Sequence, residues 1–82
     1  MTNEEIAKKV AAAIADKLGT RVDDVTPEKE LVNDLGADSL DVVEIVMAVE
    51  DEFNIEILDS EMDVLKTVQD WTNLVSTKLA DR

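Results

Sequence analysis

Apolar residues recur at helical spacing in the first part of the chain. The series consists of Ile6, Val10, Ala13 and Ile14. The preceding Thr2-Asn3-Glu4-Glu5 fits a capping box, in which the threonine and glutamate side chains satisfy free backbone N–H groups. Gly19 suits the left-handed conformation that often ends a helix. This pattern predicts a helix from about residue 3 to residue 18.

A second helical stretch runs from Asp38 to about Phe53. Asp38 fits an N-cap, and Asp41 occupies the reciprocal position three residues later. At about 100° per residue, one stripe of this helix is continuously apolar and predicts a core face. Its members are Val42, Ile45, Val46, Val49 and Phe53.

Two further helices are predicted towards the C-terminal end. A short third helix starts at Asp59 and ends near Leu65. The last helix starts with the capping sequence Thr67-Val68-Gln69-Asp70. Its apolar face, with Trp71 at the edge, consists of Val68, Thr72, Val75 and Leu79.

Residues 19–37 show no sustained period and predict a long connection. Within it, Thr26-Pro27-Glu28 predicts a short helical turn, with Thr26 capping and Pro27 in the first helical position. We expect three apolar residues to hold this loop against the core, namely Val25, Leu31 and Leu35. No strand alternation is visible. The chain therefore predicts an all-α fold, a small antiparallel four-helix bundle of three main helices and one short helix, in a single domain over residues 1–82.

The charge of the chain is strongly one-sided. Its 82 residues include 8 Lys and Arg against 20 Asp and Glu, which gives a formal net charge of −12. So few basic residues cannot neutralise the phosphates of a nucleic acid, which excludes nucleic acid as a partner. The same composition disfavours binding to an anionic membrane surface. The negative charge favours partners with basic patches, which the acidic side chains attract. The alternative is that the acid only keeps a small protein soluble.

Cysteine and histidine are both absent from the sequence. The chain therefore has no disulfide, no thiolate nucleophile and no histidine to serve as a general base. EF-hand spacing fails when counted from Asp34 and from Asp59, so no metal site is predicted. No signal peptide and no bilayer-spanning apolar run are visible, so we expect a soluble intracellular protein without membrane insertion.

The second helix carries apolar residues on a face outside its core stripe. They are Leu40, Val43 and Met47, and the acids among them are Glu44, Glu50 and Asp51. An ordinary surface helix would be polar there. Apolar side chains surrounded by acid suit reversible docking, because the acid orients a basic partner and the apolar groups supply contact energy. The alternative interpretation is that this helix is buried on more sides.

Ser39 follows the predicted N-cap and so lies in the first turn of the second helix. Free N–H groups and the helix dipole favour an attached phosphate there. They do not make serine a nucleophile, which needs a base within hydrogen-bond reach. The lysines lie far off in sequence, and aspartate at position 41 departs from the G-x-S-x-G elbow. Ser39 is therefore a modification site or a plain helix-start serine, and a serine hydrolase is disfavoured.

The stretch LGADSLDVVEIVMAVEDEF, residues 35–53, closely resembles the second-helix pattern of the acyl carrier proteins of dissociated, type II fatty acid synthesis. Its Asp38-Ser39-Leu40 triplet matches the prosthetic-group attachment motif of that family. Weaker likeness extends from about Ile6 to Leu79. The resemblance implies a non-catalytic acyl-carrier domain with a 4′-phosphopantetheine arm joined to Ser39 by a phosphodiester. The thiol of the arm would carry acyl chains as thioesters.

The same resemblance implies the partners of the chain. A phosphopantetheinyl transferase (holo-ACP synthase) would load the arm, and fatty acid synthase enzymes would dock through basic patches. The implied docking residues are Asp38, Leu40, Asp41, Val43, Glu44, Met47, Glu50 and Asp51. The candidates for an acyl cleft between the helices are Ile45, Val49, Leu65 and Val68. We expect a monomer in a bacterial cytoplasm, and the sequence leaves an organelle open.

Two positions depart from the pattern of that family. Leu58 stands where proline is common, and Val64 makes the third helix more apolar than usual. These departures concern the partner contacts of the third helix and leave the attachment motif intact. Two alternatives remain: a carrier of a related pathway such as polyketide synthesis, which shares the fold and the serine, and an unmodified acidic interaction module.

Overall fold

The computed structural model describes residues 2–81, and α-helices make up most of them. The elements are α1 (Asn3–Leu18), a 3-10 turn (Val22–Asp24), α2 (Ser39–Phe53), α3 (Asp59–Met62) and α4 (Val68–Ala80). α1 packs against both α2 and α4. The predicted all-α, antiparallel four-helix bundle with three main helices and one short helix is confirmed.

Capping boxes start the three main helices where the sequence predicts them. The capping pairs are Thr2 with Glu5, Asp38 with Asp41, and Thr67 with Asp70. Gly19 ends α1 with a φ of 67°, and Asn54 ends α2 with a φ of 55°. Both residue types tolerate this left-handed conformation. Gly19 confirms a prediction, whereas Asn54 has no counterpart in the expectations from the sequence.

The hydrophobic core lies between the three long helices. Their buried apolar members are Ile6, Val10, Ile14, Ala15, Ile45, Val46, Val49, Phe53, Val68, Trp71 and Val75. Trp71 is only 1% exposed, so its prediction as an edge residue is wrong. It lies three residues after Val68 and four before Val75, and this spacing centres it on the buried stripe. Val42, predicted in the core stripe of α2, is only half-buried.

The connection between α1 and α2 packs on the core through the predicted residues. These are Val25 and Leu31, which are buried, and Leu35, which is half-buried. A turn forms at the predicted position, residues 26–29, but the capping role predicted for Thr26 is wrong. The N–H of Lys29 donates to the Thr26 carbonyl at 3.1 Å, which closes a single turn, and the Thr26 hydroxyl donates to Glu28 instead of capping a helix. The short helical element lies earlier, at residues 22–24.

A β-bridge joins this loop to the residues that precede α4. The N–H of Leu31 donates to the Lys66 carbonyl at 3.1 Å, and the N–H of Val68 donates to the Lys29 carbonyl at 2.9 Å. α3 stops at Met62, short of the predicted end near residue 65, because the N–H groups of Val64 and Leu65 donate to carbonyls three residues back and leave the α-helical pattern. The bridge fixes the loop that leads to Ser39.

Candidate functional site

Ser39 is the first residue of α2 and is exposed. Asp38 forms the predicted N-cap, since its Oδ1 accepts the N–H of Asp41 at 2.9 Å. In return, the N–H of Asp38 donates to Oδ2 of Asp41 at 3.1 Å. The positive end of the α2 dipole therefore lies at Ser39. This position presents the serine at the surface in a field that favours an attached phosphate.

Two small residues orient the chain just before this serine. Gly36 has a φ of 73°, in the left-handed region that other L-residues rarely adopt. Ala37 is buried, and its N–H donates to the Leu31 carbonyl at 2.8 Å. The chain is thus anchored immediately before α2, and Asp38 and Ser39 emerge at the surface.

The two apolar faces of α2 differ sharply in exposure. On the core stripe, Ile45 and Val49 are 0% exposed. On the other face, Leu40 is 65%, Val43 is 45% and Met47 is 59% exposed. The interpretation that α2 is buried on more sides is therefore wrong. We call Leu40, Val43 and Met47 the exposed strip of α2.

The acidic residues around the exposed strip form no ion pair within residues 2–81. They are Asp38, Asp41, Glu44, Glu50 and Asp51. Glu50 is half-buried, and its Oε2 accepts the N–H of Ile57 at 2.8 Å. That bond fixes the segment leaving α2. Asp38, Asp41 and Glu50 therefore each use one carboxylate oxygen in a hydrogen bond to the backbone.

A groove of about 400 Å³ lies beside Ser39. Its lining residues are Val32, Ala37, Asp38, Ser39, Val42, Val43, Met62, Asp63 and Leu65. Of the four residues predicted for an acyl cleft, Leu65 alone lines it, because the other three are buried in the core. Sequence reasoning missed Val32 and Met62. They carry no periodic signal, since one lies in the long loop and the other in a four-residue helix.

The chemical groups of the site are an exposed serine hydroxyl and the carboxylates near it. The sequence supplies neither histidine nor cysteine. In residues 2–81, no group of three or more acidic side chains is arranged to hold a metal ion. Hydrogen bonds lower the pKa of four carboxyl groups, and these lie outside the site, at Glu5, Glu28, Glu61 and Asp70. Among the described helices, none has the length and apolar character needed to span a bilayer.

Comparisons with known proteins agree with this geometry. Residues 8–75 match the family model described as phosphopantetheine attachment site. The chain is 48% identical over 80 residues to the acyl carrier protein of Thermosynechococcus vestitus, covering 98% of this chain and 99% of that one. It is also 48% identical over 79 residues to the acyl carrier protein of Exiguobacterium sp., covering 96% and 100% respectively.

A solved structure gives the same result for the fold. The acyl carrier protein from Enterococcus faecalis superposes with a TM-score of 0.78 at 36% sequence identity, covering 95% of this chain and 99% of that chain. The chain belongs to the phosphopantetheine-attachment family and, within it, to the acyl carrier proteins. The relationship predicted from residues 35–53 is thus confirmed.

Membership of this family defines the activity. The protein is a carrier and not an enzyme, its prosthetic group is 4′-phosphopantetheine, and it carries acyl chains as thioesters for fatty acid synthesis. It interacts with a phosphopantetheinyl transferase and with enzymes of fatty acid synthesis. The unmodified interaction module and the serine hydrolase are set aside. The site fits 4′-phosphopantetheine. Its phosphodiester needs an accessible hydroxyl, which the exposed serine offers, and its negative charge is favoured at the positive end of the helix dipole, with the groove alongside.

Proposed function

We propose that Ser39 carries the 4′-phosphopantetheine and that residues 1–82 act as a single acyl-carrier domain. The observation that carries this proposal is the exposed position of Ser39 at the N-terminus of a capped, core-packed helix. In the loading step, the Ser39 oxygen bonds to the phosphorus that bears the pantetheine arm. The pyrophosphate bond of coenzyme A breaks, and adenosine 3′,5′-bisphosphate leaves. The transferase supplies the base that takes the serine proton, because this chain has no histidine for that role.

The groove beside Ser39 gives a carried chain partial shelter from water. Val32, Val42 and Val43 line it on the side of the loop and α2, and Met62 and Leu65 line it on the side of α3. Burial of each methylene against such side chains is favourable by about 0.8 kcal/mol. The groove is open to the surface at the exposed Ser39, so an enzyme can withdraw the chain.

We propose that partners dock on the exposed strip of α2 and the acids around it. The docking surface consists of Asp38, Leu40, Asp41, Val43, Glu44, Met47, Glu50 and Asp51. Its support is the combination of exposed apolar side chains with carboxylates that form no ion pair within residues 2–81. Basic patches complement this surface. We further propose that the protein is a monomer of the bacterial cytoplasm, in keeping with its bacterial relatives.

Intact-mass measurement tests the attachment site. The protein is incubated with coenzyme A and a phosphopantetheinyl transferase, and we expect the mass to rise by one phosphopantetheine. Ser39→Ala should show no gain. Ser60→Ala is the matched control, because Ser60 is also an exposed helical serine but lies in α3, and it should load like the wild type. A mass gain in Ser39→Ala would reject the assignment.

A further inference from the structure

α3 is held in place differently from the other helices. It spans only Asp59–Met62, and none of its residues is buried. The N–H groups of residues 61–65 donate to carbonyls within residues 58–62, so these backbone hydrogen bonds are all local to the segment. Backbone bonds therefore give α3 its local shape without attaching it to the bundle.

The neighbouring residues fix both ends of this segment. Before it, Ile57 is buried, and its N–H donates to Glu50 of α2 at 2.8 Å. After it, the Lys66 carbonyl accepts the N–H of Leu31 in the β-bridge. Residues 58–65 thus form an arch between two anchored points, with α3 at its centre.

An ion pair ties the centre of this arch to α4. Oε1 of Glu61 lies 2.7 Å from Nζ of Lys78 and also accepts the N–H of Leu58 at 2.9 Å. A single oxygen therefore caps α3 and holds it against another helix. The Lys78 bond, followed by the Leu58 bond, lowers the pKa of Glu61, so the carboxylate is charged at neutral pH.

This ion pair is the most sheltered of the three in the described residues. Its side chains are 26% and 27% exposed, against 44% and 48% for Lys9 and Glu52, which lie 3.7 Å apart. Arg21 with Asp23 is more exposed still. Short, charge-assisted and partly desolvated contacts are the ones that contribute measurably, whereas fully exposed pairs contribute little.

The arch also forms one wall of the groove beside Ser39. Met62 directly follows Glu61, and with Asp63 and Leu65 it faces the α2 residues Val42 and Val43 across the groove. Movement of α3 away from α4 changes the position of this wall. We propose that the Glu61–Lys78 pair is a latch that sets the width of the groove, with Lys78 as the positioning residue.

Amide hydrogen exchange of the unmodified protein tests the latch. Lys78→Met removes the charge and keeps most of the stem, and we expect the protected amides of residues 61–65 to exchange about three- to tenfold faster. Glu61→Gln, which keeps an acceptor for the Leu58 N–H, should act in the same direction. Lys78→Arg keeps the ion pair and should restore slow exchange.

Lys9→Met is the matched control, because it breaks the Lys9–Glu52 pair away from the groove. It should leave exchange in residues 61–65 unchanged. Unchanged exchange in Lys78→Met would overturn the latch. An equal acceleration at amides of α1, α2 and α4 would also overturn it, because the pair would then stabilise the whole bundle without controlling the arch.

A second measurement addresses the carried chain, and this part rests on the proposed function. With an octanoyl arm in place, Lys78→Met should raise the rate at which hydroxylamine cleaves the thioester by about two- to fivefold, because the wall of the groove opens more often. An unchanged cleavage rate alongside faster amide exchange would show that the latch does not control the groove. Failure to load any arm on Ser39 would reject the proposed function and leave the exchange result standing.

Discussion

α2 and α3 border the same groove but are held by different forces. α2 buries four side chains, begins with a reciprocal capping box and carries Ser39 on its first turn. α3 is a single turn that buries none, and it is held by the partly buried Met62, which packs against the core, and by the pair of Glu61 with Lys78. A firmly packed helix thus carries Ser39, and a weakly held helix borders the same groove. This difference suits a carrier protein, which needs a fixed position for its prosthetic group and a groove that can adjust to the carried chain.

Truncation in the firmly packed helix should have the largest effect. Ile45 is 0% exposed, so Ile45→Ala should lower the free energy of unfolding by about 2–5 kcal/mol. Met62 is half-buried, so Met62→Ala should lower it by about 1 kcal/mol or less. Urea denaturation followed by circular dichroism measures both. Equal losses for the two variants would contradict the difference between the two helices.

The N-cap of α2 should have the next largest effect. Asp38→Ala removes the acceptor of the Asp41 N–H and should lower the free energy of unfolding by about 1 kcal/mol. Asp38→Asn keeps a capping oxygen and should stay within about 0.5 kcal/mol of the wild type. The same denaturation series measures both. If Asn were as harmful as Ala, the hydrogen bond would not be what secures the start of α2.

Charge reversal tests whether the proposed docking surface on α2, and not the overall charge of the chain, guides the partner. Glu44→Lys and Asp16→Lys each change the net charge from −12 to −10, and both positions are exposed on helices. Glu44→Lys should raise the KM for loading by a phosphopantetheinyl transferase about two- to fivefold. Asp16→Lys, on α1, should change it less. Similar changes in both variants would mean that overall charge, and not the α2 surface, guides the partner.

Lowering the pH should have the smallest of these effects, because it removes the stability that the charged Asp70 contributes at the start of α4. The N–H groups of Thr67 and Lys66 hold the pKa of Asp70 below its ordinary value of 3.8. A lowered folded-state pKa stabilises the fold above the unfolded-state pKa, and this contribution is lost as pH falls through the folded-state pKa. Asp70→Asn should therefore have a lower free energy of unfolding than the wild type at pH 7. This difference should disappear as the pH falls below the ordinary pKa. A difference independent of pH would show that the charge of Asp70 is not involved.

Local patterns in the sequence were sufficient for most of the fold and for the position of Ser39. The caps of α1, α2 and α4 and the two faces of α2 depend on residues within a few positions of one another. Such signals need no knowledge of distant contacts. The sequence left open whether the face with Leu40 and Met47 was exposed or buried, and the structure shows it exposed.

Contacts between distant residues account for what the sequence did not predict. The β-bridge between Glu30 and Thr67 joins the long loop to the start of α4, and the pair of Glu61 with Lys78 joins separate helices. Neither follows from periodicity, which registers only neighbours on one element. The inward bond of Glu50 also reaches beyond its own helix. Trp71 is different, because its spacing from the other core residues of α4 already centres it on the buried stripe.

The absence of cysteine permits the most direct test of the central claim that Ser39 carries the arm. Because the chain has no thiol of its own, every thiol in the loaded chain belongs to the prosthetic group once the chain has been separated from the transferase. After incubation with coenzyme A and a phosphopantetheinyl transferase, followed by removal of free coenzyme A, titration with a thiol reagent should find about one thiol per chain in the wild type and none in Ser39→Ala. A thiol in Ser39→Ala would contradict the account.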